Sequence, residues 1–218
     1  MKAIILLGAP GAGKGTVAER IRECSSFIHV STGDMLRKAV KEDTEIGRKA
    51  EGFMNRGELV PYDIMERIIE DHVRHCGDET CHMFDGFPRT EAQAVLLEKT
   101  LAKHGGGVDR VYYLDASRDV FLARLTGRRV CRVCAANYHV INLPPKKDGI
   151  CDTCGGELYQ RPDDMKDTIA SRFDVFDRKT EKLISYYTDK GLLIRINCDV
   201  DVDVLVGEIM NDLEMQAS

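Results

Sequence analysis

The sequence predicts an α/β domain with a mainly parallel sheet covered by helices. Strand-like and helix-like segments alternate along the chain, which is the pattern of such folds. The chain has 218 residues, enough for one well-buried α/β domain with insertions or for a domain with a small satellite. A glycine-rich turn also joins the first strand-like run to a helical run. The candidate sheet strands are residues 2–7, 27–30, 81–85, 110–114 and 192–196.

The first of these elements leads into the sequence GAPGAGKGT at residues 8–16. Residues 2–7 are a short apolar run of strand length, and the segment after the loop places Val17, Ile21 and Cys24 on one helical face. Strand, glycine loop and helix in this order are the context of a phosphate-binding loop, because backbone N–H groups and a helix N-terminus attract phosphate. A purely structural glycine turn is the alternative.

The loop departs from the usual phosphate-binding pattern by one residue. Gly8, Gly13 and Lys14 fit the Walker A spacing. Gly15 then follows the lysine, and the hydroxyl comes one place late, at Thr16. Glycines let the backbone turn its N–H groups inward, and the lysine would reach the outer phosphates. The sequence therefore predicts a phosphate site at this loop.

Charge and hydropathy argue against some classes of function. The formal net charge is −5, which disfavours nucleic acid as a general partner because binding a polyanion needs many cationic contacts. No apolar run approaches the roughly 20 residues needed to cross a bilayer. The N-terminus enters a strand directly, without a charged leader. We therefore expect a cytoplasmic protein with neither a nucleic-acid nor a membrane partner.

Four of the eight cysteines form a metal-binding pattern. The pairs CRVC at 131–134 and CDTC at 151–154 are separated by sixteen residues, within the usual spacing of structural zinc sites. Four thiolates complete a tetrahedral shell and leave no position for a substrate water, which favours a structural over a catalytic role. Disulfides are the alternative, disfavoured in a cytosol, and four thiolates also accept iron or cobalt. The predicted ligands are Cys131, Cys134, Cys151 and Cys154.

The residues around these pairs predict a small β-rich knuckle. The intervening segment NYHVINLPPKKDGI is rich in turn formers and short β-prone pieces. So small a unit cannot hold together by a hydrophobic core alone, and zinc would supply the missing stability. His139 is expected not to ligate, because four cysteines satisfy the metal. A nucleic-acid-binding knuckle is the rival interpretation, disfavoured by the acidic chain. The other cysteines, expected to be ordinary small side chains, are Cys24, Cys76, Cys81 and Cys198.

Arginines recur at predicted turns and element ends. Each alone is equally well a solvated surface residue or a helix partner, but together with a phosphate loop they indicate a centre crowded with phosphate charge. Guanidinium groups bind phosphate oxygens in pairs, and phosphoryl transfer depends on positioning and charge neutralisation. Arg124 and Arg128 are expected to share a helical face, one turn apart. The candidates are Arg37, Arg89, Arg124, Arg128, Arg161 and Arg172.

The sequence FDGFPR carries a candidate acidic group beside one of these arginines. Asp85 falls at the carboxyl end of a predicted strand, where open α/β sheets bind their ligands. A carboxylate there can hold magnesium through bound water. Gly86 and Pro88 make a turn that aims Arg89. The alternative is that an aspartate before a glycine is only a turn residue.

Nearly the full chain resembles the adenylate kinase family, in its long-lid, zinc-containing bacterial form. The motifs that carry the resemblance are GAPGAGKGT, STGDMLR, GELVP, FDGFPRTEAQA, LTGRR, the paired CxxC segments, YQRPDD and the SR before the last helices. In that family GKGT is the normal form of the loop, which accounts for the displaced hydroxyl of Thr16. The sequence departs from the family at Tyr62, where an acidic residue is usual, and at Cys198, where a glycine commonly follows the Asn or Asp.

The resemblance implies a P-loop nucleoside monophosphate kinase fold, with a parallel five-stranded sheet flanked by helices. Residues 1–31, 62–126 and 165–218 would form the core, residues 32–61 a helical NMP-binding insertion, and residues 127–164 a small β-rich zinc lid. Hinges of the lid are expected near Gly127 and Pro162.

The resemblance also implies reversible phosphoryl transfer from MgATP to AMP, giving two ADP and serving adenine nucleotide homeostasis, by a monomer with structural Zn²⁺. One alternative is another nucleoside monophosphate kinase, such as a GTP:AMP phosphotransferase, although the long lid argues against the short uridylate and cytidylate kinases. The other is a non-catalytic nucleotide-binding switch, which leaves the arginines unexplained.

The matching positions imply the roles of individual residues. The ATP site would comprise Gly11, Ala12, Gly13, Lys14, Gly15, Thr16, Arg128, Asn137, Tyr138 and Val200. The AMP site would comprise Thr32, Arg37, Glu58, Leu59, Val60, Gly86, Phe87, Pro88, Arg89, Gln93, Arg161 and Arg172. The catalytic set would be Lys14, Asp85, Arg89, Arg124, Arg128, Arg161 and Arg172, and Asp163 and Asp164 would latch the closed lid.

Overall fold

A computed structural model describes residues 2–76 and 80–217, which form one five-stranded and one three-stranded sheet with helices around them. The strands are β1 (Lys2–Gly8), β2 (Ile28–Ser31), β3 (Cys81–Asp85), β4 (Gly107–Asp115), β5 (Arg128–Cys131), β6 (Asn137–His139), β7 (Leu158–Tyr159) and β8 (Leu193–Asn197). The helices are α1 (Lys14–Cys24), α2 (Thr32–Lys41), α3 (Glu45–Asn55), α4 (Tyr62–Arg74), α5 (Glu91–Lys103), α6 (Arg118–Gly127), α7 (Lys166–Val175), α8 (Lys182–Asp189) and α9 (Val202–Ala217). A 3-10 turn spans Pro162–Asp164, and a π-helical turn spans Phe176–Thr180.

The larger sheet has the strand order β2-β3-β1-β4-β8, with every neighbouring pair parallel. β1 lies at its centre, and all its residues after Lys2 are buried. An apolar run without alternation is what a strand covered on both faces requires. The predicted five-stranded parallel sheet is confirmed.

Each predicted strand overlaps an observed strand of this sheet. The largest difference is β4, which was expected over 110–114 and spans Gly107–Asp115. Its backbone pairs with β1 from Lys2 opposite Gly107, ahead of its apolar run. The apolar pattern therefore located the strand, and main-chain pairing extended it.

Side chains that precede the helices explain where several of them begin. The helices α2, α3, α5 and α6 start after a hydroxyl side chain that accepts a backbone N–H, from Ser31, Thr44, Thr90 and Ser117 respectively. The helix α4 has no such side-chain cap: it follows Pro61, and Asp63 lies in its first turn. An acidic residue there complements the helix dipole, so the unusual Tyr62 does not prevent the helix from starting.

The smaller sheet is antiparallel and lies within residues 127–164, with the order β6-β5-β7. Its buried cluster consists of Cys131, Tyr138, Cys151 and Leu158. Two of these four are cysteines, so few apolar side chains hold the unit together. We call this three-stranded unit the lid sheet. The helices α2 and α3 lie within 32–61, and the domain boundaries and hinges stay predictions.

One local prediction is wrong. Arg124 and Arg128 do not share a helical face, because α6 ends at Gly127 and Arg128 is the first residue of β5. On α1, Val17 and Ile21 are buried, and Cys24, the last residue of the helix, is exposed.

Among the described residues, no helix combines the length and apolar character needed to cross a membrane.

Candidate active site

The main cavity of the molecule, about 640 Å³, opens at the carboxyl ends of β1, β2 and β3. We call it the cleft. It is lined by the glycine loop, by the strand-end residues Ser31 and Asp85, and by Arg128 and Tyr138 from the lid sheet. Parallel strands bring their carboxyl ends to one edge, which is where open α/β sheets bind ligands.

The glycine loop adopts backbone conformations that require glycine. Gly11 and Gly13 have φ angles of 88° and 87°. A Cβ atom at Gly11 would lie 2.5 Å from the Phe121 carbonyl oxygen, so the loop rests directly on the backbone of α6. The helix α1 begins at Lys14 immediately after the loop, so its free N–H groups face the cleft's loop end.

Lys14 is a buried cation held by backbone carbonyls. Its Nζ donates hydrogen bonds to Gly8 O at 2.9 Å and to Ala9 O at 3.1 Å. Its pKa is lowered to about 8, mainly by burial; Asp85 opposes this shift, and the charges of Arg89, Arg172 and Arg128 add to it. An anion bound beside Lys14 would raise the pKa again.

Arg89 reaches the cleft from the turn after β3. Its Nε donates to Gly86 O at 2.8 Å, and its backbone N–H donates to the Gln93 side-chain oxygen at 2.8 Å. Burial and the neighbouring Arg172 lower its pKa to about 10. Its conformation is therefore fixed by hydrogen bonds, although its charge is not neutralised by an adjacent carboxylate among the described residues.

Arg161 is similarly placed on the lid side of the cleft. It is 8% exposed, and its Nε has no hydrogen-bond partner within residues 2–76 and 80–217. Burial and the charges of Arg37 and Arg128 lower its pKa to about 10. Its nearest acidic partner is Asp34, at 3.9 Å. A buried guanidinium donor without a partner calls for an acceptor in the cleft.

Asp164 joins the lid sheet to the core. Arg128 donates to its carboxylate from Nε at 2.7 Å and from a terminal nitrogen at 2.5 Å. Arg172, on α7, donates to the same carboxylate at 2.9 Å and also contacts Asp163 at 3.1 Å. The Asp164 side chain is completely buried. This is the geometry expected of the proposed latch, whose role stays a prediction.

Asp85 is the acidic group at the end of β3. Burial by itself would raise its pKa, but the His29 ring and the Lys14 charge outweigh that and lower it. His29 Nε2 lies 3.4 Å from Asp85 Oδ2. The carboxylate is therefore ionised inside the cleft, which fits a group that holds a magnesium-bound water.

Ten of the twelve residues expected to bind AMP line the cleft. Thr32 Oγ1 donates to Gly86 O at 3.2 Å, and Arg37 pairs with Asp34 at 2.5 Å. The remaining cleft-lining members of this set are Glu58, Leu59, Val60, Gly86, Arg89, Gln93, Arg161 and Arg172. Phe87 and Pro88 do not reach the cleft: Phe87 is 1% exposed in the core, and Pro88 lines a smaller neighbouring cavity.

The residues expected to bind ATP all line the cleft. Asn137 Nδ2 lies 3.4 Å from Glu19 Oε1, and the buried Tyr138 contributes from the lid sheet. Arg124 donates to Cys198 O at 2.7 Å, which places this arginine against the segment that contains Val200. Asp164 lies behind the lining rather than on it.

Sequence reasoning missed several residues of this cleft. Those with ionisable side chains are Glu19, His29, Asp34, His139, Asp199 and Asp201. Asp34 carried a signal, because it stands three residues before Arg37 on a helix, the spacing of an ion pair. His29 carried none, since only the pairing of β2 with β3 brings it beside Asp85.

The four predicted metal ligands meet in the lid sheet. The sulfurs of Cys131, Cys134, Cys151 and Cys154 all lie within 4.8 Å of one another. Cys131 and Cys154 are 3.4 Å apart and Cys134 and Cys151 3.6 Å apart, as free thiols. A tetrahedral zinc with Zn–S distances of about 2.3 Å sets its sulfurs about 3.8 Å apart, so the donor set fits zinc.

Other groups around the four cysteines support this arrangement. Tyr138 Oη lies 3.5 Å from Cys151 Sγ and accepts the Asp152 backbone N–H at 2.8 Å. The His139 ring instead accepts backbone N–H groups of Ile141 and Asn142 through Nδ1. As predicted, it is not part of the cysteine cluster.

The fold and the cleft together define a P-loop protein that binds nucleotide phosphates. Comparison with known proteins specifies the family. The adenylate kinase family model matches residues 6–192. The adenylate kinase of Caldicellulosiruptor bescii is 48% identical over 191 residues, 88% of this chain and 89% of the relative.

Other curated relatives extend over more of the chain. The adenylate kinase of Geobacillus sp. strain WCH70 is 44% identical over 206 residues, and that of Bacillus subtilis is 43% identical over 206 residues. Both alignments cover 94% of this chain and 95% of the relative. The chain therefore belongs to the adenylate kinase family, the transferases that phosphorylate AMP with ATP to give ADP and use Mg²⁺ with the nucleotide.

Proposed function

We propose that the cleft catalyses reversible phosphoryl transfer from MgATP to AMP, with the residues named above in specific roles. The observation that carries the proposal is a set of under-neutralised cations around one cavity. Lys14, Arg89 and Arg161 all have lowered pKa values because they are buried near other cations. Polyphosphate is the ligand that relieves such a cluster, since it brings several negative charges and many acceptor oxygens.

ATP is placed by the glycine loop and the lid sheet. Backbone N–H groups from Gly11 to Thr16 surround its outer phosphates, and Lys14 donates to them. Arg124 on α6 and Arg128 on β5 also line the cleft, and Arg124 lies beside Gly13 of the loop. Asn137, Tyr138 and Val200 lie where the nucleoside would rest.

AMP is placed by the strand ends of β2 and β3 and by the helical insertion. Thr32, Arg37 and Arg89 lie near its phosphate, while the 58–60 backbone and Gln93 lie near its nucleoside. Arg161 and Arg172 stand between the two ends of the cleft, where they can contact both phosphate chains. We infer that they stabilise the group in transit.

The reaction forms one bond and breaks one. An oxygen of the AMP phosphate attacks the γ-phosphorus of ATP, and the bond from that phosphorus to the β–γ bridging oxygen breaks. The electron pair stays on the departing ADP, and the acceptor becomes the second ADP. Such transfer depends on in-line positioning and charge neutralisation more than on a covalent enzyme intermediate. Lys14 and the arginines provide both.

Magnesium would be held on the nucleotide phosphates beside Asp85, whose low pKa keeps its carboxylate ionised there. When bound, Mg²⁺ neutralises phosphate charge. Asp85 would hold the ion through a bound water, and the role of Thr16 is confined to the phosphates.

Closure of the lid sheet has a chemical purpose. Water in an open cleft would accept the phosphoryl group in place of AMP, so closure must exclude it. Asp164 links Arg128 of the lid sheet with Arg172 of the core, and this link completes the arginine cluster only when the two parts are together.

We further propose a monomer that works in the cytoplasm without nucleic-acid or membrane partners. The eight cysteines are all free, as a reducing compartment maintains them. Light scattering of the purified protein would give the mass of one chain, 24.4 kDa.

The direct test of the activity is ADP formation measured with separate donors and acceptors. We expect rapid turnover with ATP and AMP, and little with GTP as donor or with GMP, CMP or UMP as acceptor. Lys14→Ala should lower kcat by about 10³-fold, in the range of losing one preorganised donor to transition-state charge. The matched control is Lys38→Ala, an exposed lysine on α2 that should be unchanged.

Two outcomes would overturn the proposal in different ways. Turnover with another monophosphate or with GTP would reassign the substrate within the same chemistry. Tight ATP binding without turnover of any acceptor would favour the nucleotide-binding switch.

A further inference from the structure

A second cluster of metal-ligating side chains lies outside the cleft and the lid sheet. It consists of His72, Cys76 and His82, whose ligand atoms all lie within 4.8 Å of one another. We propose that these three residues form a second site for a divalent transition metal, of the class that includes Zn²⁺ and Co²⁺. We call it the core metal site.

The backbone brings the three ligands together by two simple spacings. His72 and Cys76 are four residues apart at the end of α4, and the Cys76 N–H donates to Val73 O at 3.2 Å, which continues the helical turn. Both side chains therefore lie on one face. His82 follows on β3, where it is fixed by pairing with Ala3 of β1 and Ile28 of β2.

His82 is the residue that points most directly to a ligand. Its side chain is completely buried, yet neither ring nitrogen has a hydrogen-bond partner in the described part of the chain. A buried polar group without a partner loses the free energy that water would have provided. A metal bound to one ring nitrogen would compensate for that loss.

The distances within the cluster fit a metal after small rotations of side chains. Cys76 Sγ lies 3.8 Å from His72 Nε2, and the His72 and His82 rings meet edge to face with centroids 5.4 Å apart. Metal–nitrogen and metal–sulfur bonds of about 2.1 and 2.3 Å place tetrahedral ligand atoms about 3.5 Å apart. The cluster is slightly expanded relative to that geometry.

The donor chemistry specifies the class of ion. Two imidazoles and one thiolate suit Zn²⁺ and Co²⁺ and disfavour Mg²⁺ and Ca²⁺, which prefer oxygen. Three ligands from the described part of the chain leave the fourth position to another ligand, such as a water. The four-cysteine cluster has no such position, so the two sites should differ in affinity and in exchange.

The position of the core metal site gives it a role separate from catalysis. His82 lies three residues before Asp85 on β3, about 10 Å along the strand, toward the amino ends of the sheet. The ion would tie the end of α4 to the beginning of β3. We expect it to raise thermal stability without changing the kinetics of phosphoryl transfer.

The test is a titration of the holoprotein, its lid cluster loaded with zinc, with Co²⁺. We expect about one further equivalent to bind, with a thiolate-to-cobalt charge-transfer absorption from a single sulfur. Cys76→Ser and His72→Gln should each abolish that absorption. The matched controls are Cys24→Ser and His75→Gln, at an exposed cysteine and at an exposed histidine in the same segment, and both should retain it.

A second measurement needs no variant. Adding Zn²⁺ to the wild-type holoprotein with labelled imidazole nitrogens should shift the ring resonances of His72 and His82, but not those of His75. No charge-transfer absorption in the wild type, its persistence in Cys76→Ser, or unshifted His82 nitrogens would overturn the proposal. Any of these outcomes would mean that His72 and His82 only pack against each other as aromatic rings and bind no metal.

Discussion

The core and the lid sheet are stabilised in different ways, although one chain forms both. Within the described residues, the core and the 32–61 insertion share one hydrophobic cluster of 42 buried residues around the five-stranded sheet. The buried cluster of the lid sheet has four members, and two of those are cysteines. The stabilising free energy of apolar burial grows with the buried area. Packing alone can therefore stabilise the core but not the lid sheet. Its four thiolates supply the missing constraint.

This difference shows that a unit of the chain can be rigid without being large. A unit as small as the lid sheet has few apolar side chains to bury. Four ligands on two turns would hold such a unit rigid from within, without a large hydrophobic core. The core has no such constraint, because its helices stay against the sheet.

The largest expected effect comes from removing one zinc ligand. Cys151→Ser should unfold the lid sheet, because binding of structural zinc contributes about 10 kcal/mol to units of this size. Zinc content and hydrogen exchange of residues 127–164 would measure the loss, with the exchange of β1 unchanged. Cys24→Ser, at an exposed lone cysteine, is the control. An unaltered zinc content in Cys151→Ser would contradict the assignment.

A cavity in the core should act on the other region. Leu97 on α5 is completely buried, so Leu97→Ala should lower the free energy of unfolding by about 3 kcal/mol. Denaturant unfolding followed by far-UV circular dichroism measures this, while zinc content should stay the same. Leu122→Ala, 41% exposed on α6, should change stability much less. Equal effects in the two variants would refute the distinction between packed and exposed sites.

The connection between the two regions can be broken at Asp164. Asp164→Asn removes the buried negative charge that Arg128 and Arg172 share, and the two guanidiniums would then repel each other. We expect a loss of about 2 kcal/mol in stability and a larger KM for ATP, because the lid sheet no longer docks in one orientation. Asp177→Asn, in an exposed pair with Arg118, is the control and should be nearly silent. A silent Asp164→Asn would remove the proposed latch.

The smallest expected effect is a pH dependence of the free energy of unfolding of the core, which the lid sheet should not share. The pKa of Lys14 is about 8 in the folded protein and 10.5 in the unfolded chain. Between these values the unfolded chain binds the proton that the folded protein has released, so stability rises with pH. Compared with Lys14→Met, the nucleotide-free wild type should gain about 1 kcal/mol per pH unit between pH 8 and 9.5. A flat difference would show that Lys14 titrates normally.

The features that the sequence predicts correctly are those that depend on a local pattern of residue types. The apolar runs located all five strands of the core sheet, and the glycine loop and paired cysteines located two sites, because their spacing alone brings the chemistry together. The contact of His29 with Asp85 was not predictable, since it depends on the pairing of β2 with β3. The prediction that Arg128 lies on a helix with Arg124 is wrong although Gly127 carries a signal against it, because glycine commonly marks the end of a helix.

The cluster of His72, Cys76 and His82 illustrates the same limit. Its first two members have the four-residue spacing of a helical pair, but the third lies on a strand. The sequence alone therefore predicts an ordinary small side chain at Cys76. Spacing along the chain predicts ligands that share one turn. Ligands on different elements are brought together only by the fold, so their spacing in the sequence does not predict them.

The contact between Gly11 and Phe121 has a consequence for how binding and motion are linked. The phosphate loop rests on the backbone of α6, and α6 continues without a loop into β5, the first strand of the lid sheet. A nucleotide that fixes the loop therefore also biases the direction in which the lid sheet leaves the core. Suppose that a nucleotide on the loop favours the docked orientation of the lid sheet by a certain factor. By thermodynamic reciprocity, holding the lid sheet in that orientation then raises the affinity of the loop for nucleotide by the same factor.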